Sequence, residues 1–291
     1  MHCSDVEVEP LPGTAKPGST YVLFEWPDAW SRDVLDGDTL GPELSARIKD
    51  HVEANHATFL LIRHATRERR LIQDHHVYLV FADQGVTEVL HVDGPEAVLD
   101  LDLSGPGKNR GASVRTKPLL LVCTHAKRDQ CCAIKGRPLV RQLQRSDDMV
   151  WETSHIKGHR FAPTMLLMPW AFSYGRMNEQ AARALLEHAE AGLYFVPGNR
   201  GRGTLSAPAQ AAEIAVAAEL SRGGAQVGME QLLVDAPTIT TNRSNVRVTD
   251  TATGAAYEVA LSLRDIGGVV DSCGKQPKTG QAWVVDAVER V

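Results

Sequence analysis

The chain has 291 residues, 43% of them hydrophobic and 23% charged, with a formal net charge of -5. That composition excludes a disordered, collagenous or membrane-bundle protein, and the length suffices for about two domains, each with its own core. The five cysteines (Cys3, Cys123, Cys131, Cys132 and Cys273) are too few, too unevenly spaced and odd in number for a secreted disulfide framework, so a reducing, cytoplasmic compartment is expected.

The N-terminal stretch lacks the basic and apolar regions of an export signal, and no apolar run of membrane-spanning length occurs, so no membrane association is expected. Nor does the mild negative charge mark a nucleic-acid binder. Its distribution says more than its sum. Residues 1–104 carry net -11, residues 105–146 net +9 and residues 147–291 net -3, and the basic stretch holds three of the five cysteines.

Residues 1–19, with three prolines and no periodicity, read as a flexible lead-in. YVLFEW (21–26) and TFLLIR (58–63) are strand-length apolar runs around a helix in which Leu44, Ile48 and Val52 recur every fourth residue, a β-α-β opening. HHVYLVFAD (75–83) and TEVLHVDG (87–94) follow as two strands joined by a turn at Gln84-Gly85. A Gly, Ser and basic-rich linker, 104–117, then separates this segment from PLLLVC (118–123), a buried-type strand. The spacing predicts a helix over 131–144 whose start Gly136 and Pro138 weaken. It also predicts strands at 149–154, 162–169 and 171–177, and a helix over 178–192 with a Gly stop. Beyond the loop 197–208, an Ala-rich helix (209–222) and four strand-like stretches (231–241, 245–250, 256–264 and 282–288) complete the chain as an α+β extension. No internal repeat of fixed period is found.

The chemistry concentrates in two segments, Cys123-Thr-His-Ala-Lys-Arg-Asp-Gln-Cys131-Cys132 and Trp151-Glu-Thr-Ser-His155-Ile-Lys-Gly-His159-Arg-Phe-Ala-Pro163. Cys123 ends a strand and Cys132 opens a helix, while His155 and His159 follow another strand, with Gly158 letting the loop curl. Two Cys and two His at the ends of neighbouring strands match a metal-ligand set in type and number. Lys127, Arg128 and Lys135 favour the thiolate that a metal needs. The pattern leaves the metal open: a structural Cys2His2 zinc site is chemically allowed, and a thiol oxidoreductase could use Cys131 or Cys132 as nucleophile. No pair of carboxylates framing a sugar site is found.

CTHAKRDQCCAIKGRPL, WETSHIKGHRFAPTMLLMP and RGRGTLSAPAQAAEIAV resemble the sucrase/ferredoxin-like family, over roughly residues 20–290. The resemblance implies an α/β (α+β) fold: a thioredoxin-like 2Fe-2S ferredoxin domain over 115–192, an N-terminal α/β segment over 20–104 and a small C-terminal α+β extension over 193–291. It further implies an iron-sulfur electron carrier or redox module rather than a self-contained enzyme, with no catalytic residue of its own. The ligands carried over are Cys123, Cys132, His155 and His159, with Cys131 an adjacent alternative to Cys132. Many relatives read Glu-Cys-Ser-His where this chain has Glu152-Thr153-Ser154-His155, and Thr153 cannot be a ligand. Around the cluster, Lys127, Arg128 and Arg160 would favour the reduced form, and His125 either hydrogen-bonds near a cluster sulfur or caps its loop. The implied partner is a redox protein with an acidic docking face. Arg200 and Arg202 anchor an acidic partner, contact the cluster loop or form a solvated turn. His64, His75 and His76 read as structural, Cys3 as incidental, and Cys273 has no assigned role.

Overall fold

The computed structural model describes residues 2–67, 70–144 and 148–291. It is a mixed α/β structure, as expected, and it divides into two compact units built from interleaved stretches of chain. One comprises Gly18–Lys157 and Pro163–Ala171; the other comprises Met1–Pro17, Gly158–Ala162 and Phe172–Val291. Among the described residues no helix is long and apolar enough to cross a membrane.

The Gly18–Lys157 unit opens with β1 (Thr20–Glu25), α1 (Pro42–Ala54) and β2 (Ala57–Arg63). β1 and β2 pair in parallel, as a helical crossover requires. Pro42 occupies the first turn of α1, where its missing N–H costs nothing, and Ile48 and Val52 are buried on its inner face. β3 (His75–Phe81) returns antiparallel to β1, followed by β4 (Val86–Val92). The turn between them is a 3-10 helix over Ala82–Gln84, ended by Gly85 at φ 64. The expected linker contains β5 (Ser113–Arg115), a short, solvent-exposed strand on β4. Its polar composition is that of an edge strand, which is why it reads as loop.

The same pattern then recurs: β6 (Leu119–Cys123), α2 (Gln130–Leu143) and β7 (Val150–Thr153), with β6 and β7 parallel, and β8 (Met165–Met168) antiparallel to β6. Two β-α-β-β arrangements meet where β2 pairs antiparallel with β7, and the strand order runs β8-β6-β7-β2-β1-β3-β4-β5. This repeat is one of topology, without a sequence period. Alternate residues of β1 divide between two cores. Tyr21 and Leu23 join Leu121, Trp151 and Met168, while Val22 and Phe24 join Ile48, Val52 and Leu103.

Residues 20–104 and the first part of 115–192 share one sheet across the expected linker, and the 115–192 stretch is divided between the two units. Backbone pairing between strands remote in sequence leaves no local signal.

The other unit holds β9 (Phe172–Tyr174), α3 (Glu179–Glu190), β10 (Asn199–Arg202) and α4 (Ala207–Arg222). β9 and β10 pair antiparallel. Asn178 caps α3 through its side chain, accepting from the Ala181 N–H. The chain continues through β11 (Leu232–Val234), β12 (Thr238–Ile239), β13 (Arg243–Asp250), β14 (Ala256–Val269) and β15 (Lys278–Arg290). Here the sheet order is β11-β13-β14-β15, with β12 on β13 and α4 packed over the sheet. β14 runs past its expected end at Arg264, because the Gly267-Gly268 pair forms a bulge, with Gly268 at φ 80, and the ladder resumes at Val269. Residues 2–17 are no loose lead-in. Cys3–Asp5 form a 3-10 turn, and Cys3, Ser4 and Ala15 are buried.

Candidate metal centre

β6 carries an uninterrupted buried run, Leu-Leu-Leu-Val-Cys, that ends at Cys123. The Cys123 N–H donates to the Thr164 carbonyl and the Thr124 N–H to that of Thr153, so the strand end is held from both sides. α2 then starts under an N-cap: Asp129 Oδ1 accepts the Cys131 N–H at 2.9 Å. This gives Asp129 its place before the cysteines, and it puts Cys132 in the first helical turn. Gly136, one turn further on, lies against the main chain of Cys123, where any β-carbon would overlap the carbonyl oxygen.

His155 is set by the end of β7. The Ser154 N–H donates to the Leu61 carbonyl, and the Leu61 N–H donates back to Ser154 Oγ at 3.1 Å. This anchor presents His155 to the cysteines, and the donor atoms of Cys123, Cys132 and His155 all lie within 4.8 Å of one another. A hydrogen bond from the Cys132 thiol holds Cys123 well below the ordinary thiol range, outweighing its complete burial. The His155 ring and the His125 main-chain N–H act in the same direction. Cys132, as the donor of the pair, is pushed up. One sulfur is thus biased toward the thiolate, with a second thiol and an imidazole beside it. That is a donor set suited to zinc or an iron-sulfur centre.

Glu152, in the motif between Trp151 and His155, was not foreseen as a site residue. Its Oε2 accepts from Arg63 Nε and Nη2 at 2.9 and 2.7 Å and from Thr124 Oγ1 at 2.7 Å, all in buried surroundings. The pair ties β2, β7 and the residue after Cys123 together. A strand of apolar residues ending in a buried-side Arg is the only hint in the sequence.

His125 is buried, and its ring Nε2 lies 2.7 Å from the Ser31 carbonyl, edge-on to Trp30. Burial pushes its pKa down. Its contribution at the Cys123 sulfur is therefore through the backbone, while its ring fastens the loop to residues 30–31. Trp30, Arg63, Thr124, His125, Lys127 and Arg137 line a concavity of about 170 Å³ beside this loop. Arg128 is 3.5 Å from Asp33.

His159 and Arg160 belong to the other unit. There His159 Nε2 is 2.8 Å from Ser272 Oγ, and Arg160 forms a two-pronged ion pair with Glu9, Nε to Oε2 at 2.5 Å and Nη2 to Oε1 at 2.9 Å. Arg200 is no solvated turn. It is buried, its guanidinium lies 4.8 Å from the Phe161 ring centroid, and its carbonyl receives the N–H groups of Gly13, Thr14 and Ala15. Arg202 pairs with Glu213 of α4. His75 and His76 bond to Glu25, in structural roles as expected. Cys3 and Cys273 lie with their sulfurs 3.7 Å apart.

The mixed α/β fold thus buries a Cys-Cys-His group, between a strand end and a helix start, that could hold a metal ion. Comparison with family models matches residues 11–201 to the sucrase/ferredoxin-like family, and the chain belongs to that family. No curated protein and no solved structure matches it.

Proposed function

We propose that the protein is an iron-sulfur electron-transfer module that carries a 2Fe-2S cluster on Cys123, Cys132, His155 and His159. The observation that supports this most is the convergence of Cys123, Cys132 and His155 with Cys123 favoured as thiolate. His159 enters on the His-x-x-x-His motif alone, within four residues of His155 along the chain. A bound cluster of this kind supplies one-electron transfer, at a potential raised by the imidazole ligands.

The chain's own residues hold the donors and keep water out. Asp129 starts the helix that carries Cys132, Ser154 pins the strand end before His155, and the Arg63–Glu152 pair fixes Thr124 next to Cys123. The β-α-β-β arrangement of β6, α2, β7 and β8 is the part we assign to a thioredoxin-like ferredoxin. Lys108, Arg110, Lys117 and Lys127 are exposed in the net +9 stretch, a surface for an acidic redox partner in the cytoplasm. Cys131 and Cys132 are fully buried, which disfavours the alternative of an accessible thiol nucleophile.

Iron, acid-labile sulfide and zinc are to be quantified in anaerobically purified wild type, His155→Ala and Cys132→Ala. A red-brown wild type with about two irons and two sulfides per chain, lost in both variants, is expected. A colourless wild type with stoichiometric zinc would establish the Cys-His zinc site instead.

A further inference from the structure

We propose that Cys3 and Cys273 are a redox-active dithiol that closes to a disulfide on reaction with a small-molecule disulfide of the glutathione type. The two residues stand 270 positions apart in sequence, yet they belong to the same compact unit. The Cys273 thiol donates to Cys3 Sγ at 3.7 Å, and the Cys3 N–H donates to Cys273 Sγ at 3.4 Å. His2 Nδ1 lies 3.9 Å from the same sulfur, so a group able to take the thiol proton is in place.

A disulfide bond is about 2.05 Å long, so closure brings the sulfurs together by about 1.7 Å, within the reach of side-chain rotation. The two thiols differ in access. Cys3 is 1% exposed in its 3-10 turn, whereas Cys273 is half-buried in the connection between β14 and β15, followed by Gly274 at φ 82. The accessible sulfur is the one that meets an external disulfide, and the buried one can only resolve the product.

The chemistry balances in two exchanges. The Cys273 thiolate attacks one sulfur of oxidised glutathione, the glutathione S–S bond breaks, and one glutathione thiolate leaves with the proton that Cys273 gave up. Cys3, deprotonated in turn, attacks Cys273 Sγ; the Cys3–Cys273 bond forms and the second glutathione thiolate leaves. Two protein thiols are oxidised, and one glutathione disulfide is reduced to two thiols. The product ties the N-terminal residues to the β14–β15 connection. By closing so long a loop in the unfolded chain it raises the melting temperature. None of this depends on whether Cys123 and Cys132 hold a cluster.

The test equilibrates the full-length protein with defined mixtures of reduced and oxidised glutathione, then applies acid quenching, alkylation and peptide mapping. The expected result is a Cys3–Cys273 cross-linked peptide, with loss of two hydrogens from the intact mass and a raised melting temperature, all reversed by excess reduced glutathione. Cys3→Ser should accumulate glutathione on Cys273, since the proposed resolving thiol is removed, whereas Cys273→Ser should leave Cys3 unmodified. Wild type that gives only single adducts, or a cross-link from Cys3 to another cysteine, overturns the proposal. So does stoichiometric zinc in wild type that is lost from both serine variants. The wild-type cross-link alone decides the matter if either variant fails to fold.

Discussion

Gly136 of α2 rests directly on the main-chain carbonyl of Cys123. The contact sets how close the helix comes to β6, and Cys132 sits one turn before it. Alanine at this position would ordinarily favour a helix by about 0.5–1 kcal/mol. Here the overlap with backbone dominates, and pushing the helix outward should cost about 1–3 kcal/mol. Gly136→Ala is expected to lower the denaturation midpoint and the metal content together, while Ile134→Ala, at an exposed position of the same helix, leaves both unchanged. Unaltered metal content in Gly136→Ala would show that the helix approach does not set the thiol pair.

The Arg63–Glu152 ion pair is buried on both sides, with side chains 5% and 6% exposed. Removing one partner strands the other charge, at about 3–5 kcal/mol. Arg63→Ala should show that loss in chemical denaturation, whereas the double variant Arg63→Met/Glu152→Leu should recover most of it. Equal losses in the single and double variants would mean that packing, not charge, is what the pair supplies.

Of the adjacent cysteines, only Cys132 shares the group with Cys123 and His155. The Cys131 N–H is engaged by the Asp129 cap. If the proposed cluster forms, Cys132→Ser bleaches the visible absorption and removes the iron, and Cys131→Ser retains both. Bleaching by Cys131→Ser alone would reverse the assignment.

Glu213, buried in the Ala-rich α4, is pushed by desolvation from 4.5 up to about 7, against the pull of Arg202. The unfolded chain releases this proton near pH 4.5, and the folded protein keeps it to about pH 7. The stabilisation is therefore complete below about pH 4.5 and is lost as the pH rises through 7. The loss is on the order of 3 kcal/mol. Stability measured from pH 4.5 to 8 should fall less in Glu213→Gln than in wild type by that amount; parallel curves would locate the titration elsewhere.

Local pattern was enough for most elements. Ile48 and Val52 recur on one face of α1 and are buried there, and the apolar runs at 21–26, 58–63 and 118–123 are β1, β2 and β6. The site was legible for a similar reason. Cys123 ends a strand and Cys132 opens a helix, so spacing alone places two thiols at neighbouring element ends.

The sequence by itself determined the family, through the Cys123–Cys132 and His155–Pro163 motifs, the mixed α/β class, through strand and helix periodicity, and the basic stretch that holds three of the five thiols. Tertiary structure decided what no periodicity records. β2 pairs with β7 across the 104–117 stretch, Arg63 meets Glu152, Arg200 is buried against Phe161, and Cys3 meets Cys273. Side-chain period reports which face of an element seeks a core. It is silent on which strand supplies the partner hydrogen bonds, because every strand offers the same backbone donors and acceptors, and only their closure into one sheet chooses among them.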